Sequence, residues 1–355
     1  MRTLDQQTVL TETEQWPTTR RTVGHGRLVS SMLFALAALL TVTTLSFVVG
    51  TRSVALDDVW SAFLNFDASS TTQIIVRDYR LPRTLLGLLC GSAFGVAGAL
   101  IQAMTRNPLA DPGILGVNAG AAFFITLSVG VFGWHSIDLY IWVAFAGAVV
   151  STIVVYGLGA AGRYGATPVR LVLTGVALAA FLGGVESSIT LLKPQAFGAM
   201  RMWAIGSIAA RDMSIVGTAA PFIGVGLVLA IAIAPSLNAV ALGDDMARLL
   251  GNNILRTRLI VVIAVTFLAG AATAAVGPIG FVGLMVPHVV RWLIGPDQRW
   301  IMVFTILLSP VLLLSADILG RIILHPGELE AGIVTAFVGA PVLIFLVRKK
   351  GASSQ

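Results

Sequence analysis

Ten apolar runs of near-crossing length constrain this chain more than any other feature. They are Leu28 to Gly50, Leu81 to Met104, Gly113 to Phe132, Leu139 to Leu158, Val169 to Leu192, Ile215 to Ala234, Leu259 to Val276, Ile279 to Ile294, Trp300 to Ala316 and Ile333 to Val347. A helix needs about 20 mostly apolar residues to cross a bilayer, because lipid offers no partner to an unpaired backbone group. Composition points the same way: of 355 residues, 56% are hydrophobic and only 11% charged, against roughly a quarter charged in a soluble domain. A water-soluble domain, a nucleic-acid binder and a disordered chain are thereby excluded. The expected fold class is all-α, a polytopic integral membrane protein with about ten transmembrane helices.

An even number of crossings places both termini on one side. Putting them in the cytoplasm leaves 15 of the 23 basic residues inside, as the positive-inside rule favours. The outer remainder is Arg52, Arg77, Arg80, Arg83, Lys193, Arg201, Arg211 and Arg321. The expected organisation is a polar N-terminal tail over 1–27, a transmembrane domain over 28–350 and a short C-terminal tail over 351–355. The run after Arg20-Arg21 has full crossing length and further spans follow it, so it reads as a first span and not as a cleaved export signal. Cys90 is the single cysteine, which excludes an internal disulfide.

Between the sixth and seventh runs lies a connection longer than a turn requires, LNAVALGDDMARLLGNNILRTR, over 237–258. Gly243 opens a short amphipathic stretch in which Ala247, Leu249 and Leu250 offer an apolar face beside Arg248. Asp244 and Asp245 sit where acids favour a helix N-terminus, and Gly251 can end the helix. Such a stretch is either a knob for a groove on a partner or a solvated surface turn.

Other positions carry chemistry less openly. Arg80 and Arg83 bracket the start of the second run and Arg321 follows the ninth, where long basic side chains snorkel to an interface. Asp317 and Arg321 stand four apart and can pair along one helix. Gly91, Gly95 and Gly98 have the spacing of close helix packing. Pro108 and Pro112 stiffen the turn that begins at Asn107 and carries Leu109. Glu186 is the one acid deep in a clear apolar run, which makes it a candidate for a polar pathway or for a buried ion pair. His288 has no second ligand at metal spacing. The segment KPQAFGAMRMWAIGSIAARD reads as an amphipathic helix at the outer interface. No G-x-x-x-x-G-K-[ST] phosphate loop occurs, so any use of ATP needs another chain.

The run GDDMARLLG from Gly243 resembles the coupling motif of ABC importer permeases of the iron–siderophore and cobalamin family. Further signatures of that family follow in order: RLPRTLLGLLCGSAFGVAGALIQAMTRNPLADPGILGVNAGA from Arg80, VGPIGFVGLMVPHVVRWLIG from Val276, ADILGR from Ala316 and GIVTAFVGAPVLIFLVRKK from Gly332. The NPLADPG and PHVVRWLIG wording is most similar to the ferric-enterobactin type. The resemblance implies a type II importer permease in the inner membrane, carrying a ferric siderophore inward. It implies a second permease subunit, heteromeric ahead of homodimeric, two ATP-binding subunits that hold ATP-Mg, and an extracytoplasmic siderophore-binding protein. It implies no cofactor bound by this chain itself. By position it assigns ATPase coupling to Gly243, Asp244, Asp245, Ala247, Arg248, Leu249, Leu250 and Gly251, docking of the binding protein to Arg80, Arg83 and Arg321, and a cytoplasmic gate to Asn107 and Leu109. Glu186 falls in a span that lines the family's pathway. Cobalamin or haem import is the alternative cargo. A secondary transporter would require several midplane acids, and an enzyme would require a catalytic constellation that the spans lack.

Overall fold

The computed structural model describes residues 24–134, 136–161, 167–324 and 326–351. Residues 1–23 of the expected N-terminal tail and 352–355 of the C-terminal tail lie outside the described residues. The described chain runs α1 (His25–Val48), α2 (Leu56–Leu64), α3 (Thr71–Ile74), α4 (Leu81–Thr105), α5 (Val117–Gly130), α6 (Ile137–Ala160) and α7 (Pro168–Leu192). It continues through α8 (Pro194–Ala204), α9 (Met213–Val240), α10 (Asp244–Leu249), α11 (Ile254–Val276), α12 (Val282–Ile294), α13 (Gln298–Ile323) and α14 (Ala331–Gly351).

Seven of these stretches are long and apolar enough to cross a membrane: α1, the unbroken Thr71–Thr105 rod, α6, α7, α9, α11 and α13. The remaining expected crossings are the shorter apolar helices α5, α12 and Ala331–Ile344 of α14. α5 has 14 residues, which spans only about 21 Å at 1.5 Å per residue. The 3₁₀ turn Pro112–Leu115 precedes it. α12 follows an irregular stretch, 277–281, whose two ends are held by protein: Gly277 N–H donates to Thr273 O at 2.8 Å, and Val282 N–H donates to Gly280 O at 2.9 Å. Non-helical backbone survives in a bundle of this kind only when the bundle itself supplies its partners.

α4, α11 and α13 form the centre, whereas α1 and α7 are almost wholly uncovered. Glycines fix the central contact. A Cβ on Gly91 would stand 2.7 Å from Pro310 Cα, and those on Gly95 and Gly98 would collide with Ser309 and the Gly283 carbonyl. Small residues thus let α4 lie directly against α13 and α12. Pro310, which cannot donate within α13, is seated on the gap that Gly91 leaves.

The structure departs from the sequence reading at several boundaries. The second span begins at Thr71, ten residues before the apolar run, and passes through a π turn at Ile75–Arg80. α13 reaches Ile323, beyond Ala316. α2, which no long apolar run announces, is a nine-residue helix in the first connection. Of the proposed interfacial helix only Pro194–Ala204 is helical, and Trp203 turns into the core instead of outward.

Candidate functional site

The 237–258 connection folds into a braced knob. Gly243 (φ 107°) and Gly251 (φ 79°) occupy left-handed backbone that other residues rarely adopt, and they bound α10 on either side. At its C-terminal end Asn252 N–H donates to Ala247 O and Gly251 N–H to Arg248 O, both at 2.9 Å. That pair of bonds is the Schellman stop, with glycine in the left-handed place. Ala247 is fully buried against Val240 and Ile254. The connection is also tied to three helix ends. Asn252 Nδ2 donates to Ser236 O at 2.9 Å, Asn253 caps α11, and Asn238 Nδ2 donates to Asp297 Oδ1 at 2.8 Å.

The sequence reading of this knob needs one correction. Ala247 points inward as the anchor, so the apolar face offered outward consists of Met246, Leu249 and Leu250, with Leu249 82% and Leu250 61% exposed. Asp244 and Asp245 stand in the first turn of α10, as the sequence reading places them; Asp244 Oδ2 also receives Arg258 Nη2 at 2.7 Å, and its Oδ1 lies 3.5 Å from Arg106 Nη2. Asp245 pairs with Arg248 at 3.1 Å on the surface, where such a pair contributes little. The outward side of α10 is thus an exposed apolar cluster on a rigid mount.

Beside the knob lies the turn after α4. Arg106 takes a left-handed conformation (φ 54°) and ends the helix. Asn107 Oδ1 accepts from Leu109 N–H at 3.0 Å, closing an Asx turn that leaves Leu109 exposed. Asp111 Oδ1 then accepts from Gly113 N–H at 2.7 Å and caps the 3₁₀ turn. Burial pushes the Asp111 carboxyl above its ordinary value, and the Gly113 hydrogen bond opposes that rise.

At the opposite end of α4 and α13 the three arginines meet, each engaged within the chain. Arg83 Nη2 reaches Asp317 Oδ1 and its Nη1 reaches Glu328 Oε2, each at 2.7 Å. Arg321 pairs with Asp317 as the spacing predicts, and its Nη1 also donates to Ser46 O and Val49 O at 2.8 Å. Arg80 donates to Phe47 O and Arg52 O. Ser46 O and Phe47 O at the end of α1, and Val49 O and Arg52 O just beyond it, are therefore closed by guanidinium groups from two other elements. Arg80 and Arg321 are 6% and 2% exposed, whereas the Arg83 side chain retains 13%. Glu328 is a member of this cluster that the sequence reading missed, as were Arg106 and Arg258 beside Asp244. No spacing rule joins residues so far apart in the chain.

Glu186 is half-buried on α7, and among the described residues no ion pair with Arg201 forms. Gly183 and Gly184 beside it face open space. His288 stands edge-on to Trp292, with ring centroids 4.7 Å apart.

Among the described residues, seven helices long and apolar enough to cross a membrane and three shorter apolar ones, packed about a dense centre, give the build of a multi-pass membrane protein. The chain belongs to the FecCD transport family, which it matches over residues 38–349. It is 48% identical over 315 residues to the ferric enterobactin transport system permease protein FepD of Escherichia coli (strain K12), covering 89% of this chain and 94% of that one. It is 39% identical to the Fe(3+)-citrate import system permease protein YfmD of Bacillus subtilis (strain 168), with 90% and 95% covered. To the iron(3+)-hydroxamate import system permease protein FhuB of the same organism it is 36% identical, with 96% and 88% covered. Among solved structures it superposes on a metal-chelate type ABC transporter in an inward-facing conformation with a TM-score of 0.80, at 24% identity, covering 90% of this chain and 99% of the other. That likeness is one of fold.

Proposed function

We propose that this permease carries a ferric siderophore of the catecholate, enterobactin-like class inward across the inner membrane, driven by ATP hydrolysis in partner subunits. The observation that carries the reading is the mount of α10. Its exposed Met246, Leu249 and Leu250 stand on a helix fixed to α9 and α11, and α9 is in turn tied to the start of α13, so force applied there reaches the bundle. The 48% identity to a ferric enterobactin permease supports the cargo.

In this reading the knob end and both termini face the cytoplasm, and one ATPase grips each of two permease subunits. The uncovered face of α7, with Gly183, Gly184 and Glu186, borders the path between this chain and a second permease. Leu109 closes the inner end by excluding water. A binding protein docks at the outer end on Arg83, which alone of the three arginines reaches the surface, while Arg80 and Arg321 hold the loops around it.

The test is uptake of labelled ferric enterobactin into vesicles holding the assembled complex. The reading expects accumulation with internal ATP and none without it. Uptake sustained by an ion gradient alone would identify a secondary transporter instead.

A further inference from the structure

The two oxygens of Asp244 serve different parts of the molecule. Oδ2 is bound at 2.7 Å by Arg258, a buried residue of the central helix α11. Oδ1 is itself shut off from solvent and has no hydrogen bond, and the cation that faces it is Arg106, at 3.5 Å. Arg106 is no part of the knob. It is the residue that ends α4, held in a left-handed conformation that an L-residue adopts only under constraint, and it leads directly into the Asn107 turn that presents Leu109. Its guanidinium lies across the start of α10, with Nη1 3.7 Å from where a Cβ on Gly243 would stand. One carboxylate therefore joins the core, the knob and the Leu109 turn, and its link to the turn is the longer and more exposed of the two.

We infer that Asp244 and Arg106 are positioning residues that transmit displacement of α10 to the Leu109 turn. This rests on the reading of α10 as the ATPase contact. When α10 is drawn aside, the Arg106 arm pulls on or releases the residues next to it, while the Arg258 arm keeps the knob on the bundle. A long charge pair whose arginine is 45% exposed suits a joint that must open and re-form in each cycle.

The chain offers a clean test because Cys90, its single cysteine, is fully buried. A thiol introduced by Leu109→Cys reports on the turn alone. The assembled complex in nanodiscs is treated with a maleimide, with and without a non-hydrolysable ATP analogue. The expected result is a change in labelling rate of at least fivefold on nucleotide binding. Adding Arg106→Gln should reduce that change to less than twofold while the ATPase stays bound, and Arg106→Lys should restore it. A full response in the Gln variant, a Lys variant that fails equally, or release of the ATPase by the Gln variant would each overturn the joint. A bound ATPase with no nucleotide response in the parent would overturn it too, leaving the contact role of α10 intact. An ATPase that never binds, or that binds equally after Leu249→Asp with Leu250→Asp, would remove that contact role and the joint with it.

Discussion

Asp317 is 1% exposed and shares its two oxygens between Arg83 and Arg321, while Glu328 takes the other arm of Arg83, so these two guanidiniums are offset only while both carboxylates are present. Removing one partner of a buried pair costs roughly 3–5 kcal/mol, because the remaining charge stays desolvated. Arg321→Ala also strips donors from Ser46 O and Val49 O at the end of α1. It should lower stability to thermal unfolding in detergent by about that amount, whereas Arg248→Ala at the exposed Asp245 pair should cost under about 1 kcal/mol. The sequence exposed the i, i+4 half of this cluster, Asp317 with Arg321, because helical periodicity fixes that geometry. Arg83 and Glu328 were hidden from it, since their meeting depends on how α4 lies against α13.

Among elements, the glycines of α4 were legible as packing residues from spacing alone, and the structure shows which neighbours they admit. Gly98 is pressed against the backbone of Gly283, while Gly184 on α7 has open space beside it. Gly98→Ala should therefore destabilise the permease by about 1–3 kcal/mol through overpacking. Gly184→Ala should leave the unfolding of the isolated chain almost unchanged in the same assay. The ten apolar runs were likewise legible, being a direct consequence of the lipid solvent. Their ends were not: the rod from Thr71 carries Arg77, Asp78 and Arg80 ahead of its apolar run, where hydropathy gives no signal. The inward turn of Ala247 was hidden for a related reason. In a six-residue helix the periodicity is too short to say which apolar side chain meets the bundle and which meets a partner.

At the scale of the molecule, α1 and α7 are the least covered of the long apolar helices among the described residues, and their chemistry differs. α1 presents Leu33, Phe34 and Leu40, as a lipid-facing helix does, while α7 adds Gly183, Gly184, Glu186, Ser187 and Ser188 to its apolar residues. A carboxylate belongs in a water-filled or protein-lined space and not against lipid tails. In the assembled complex a membrane-impermeant thiol reagent should label Glu186→Cys at least tenfold faster than Phe34→Cys, and equal rates would place α7 in lipid. The central claim, that an ATPase grips the exposed apolar tip of α10, is tested most directly by a photo-crosslinking residue at position 249 in the intact complex. The account predicts a covalent product with the ATP-binding subunit; crosslinks confined to lipid or to the outer binding protein would contradict it.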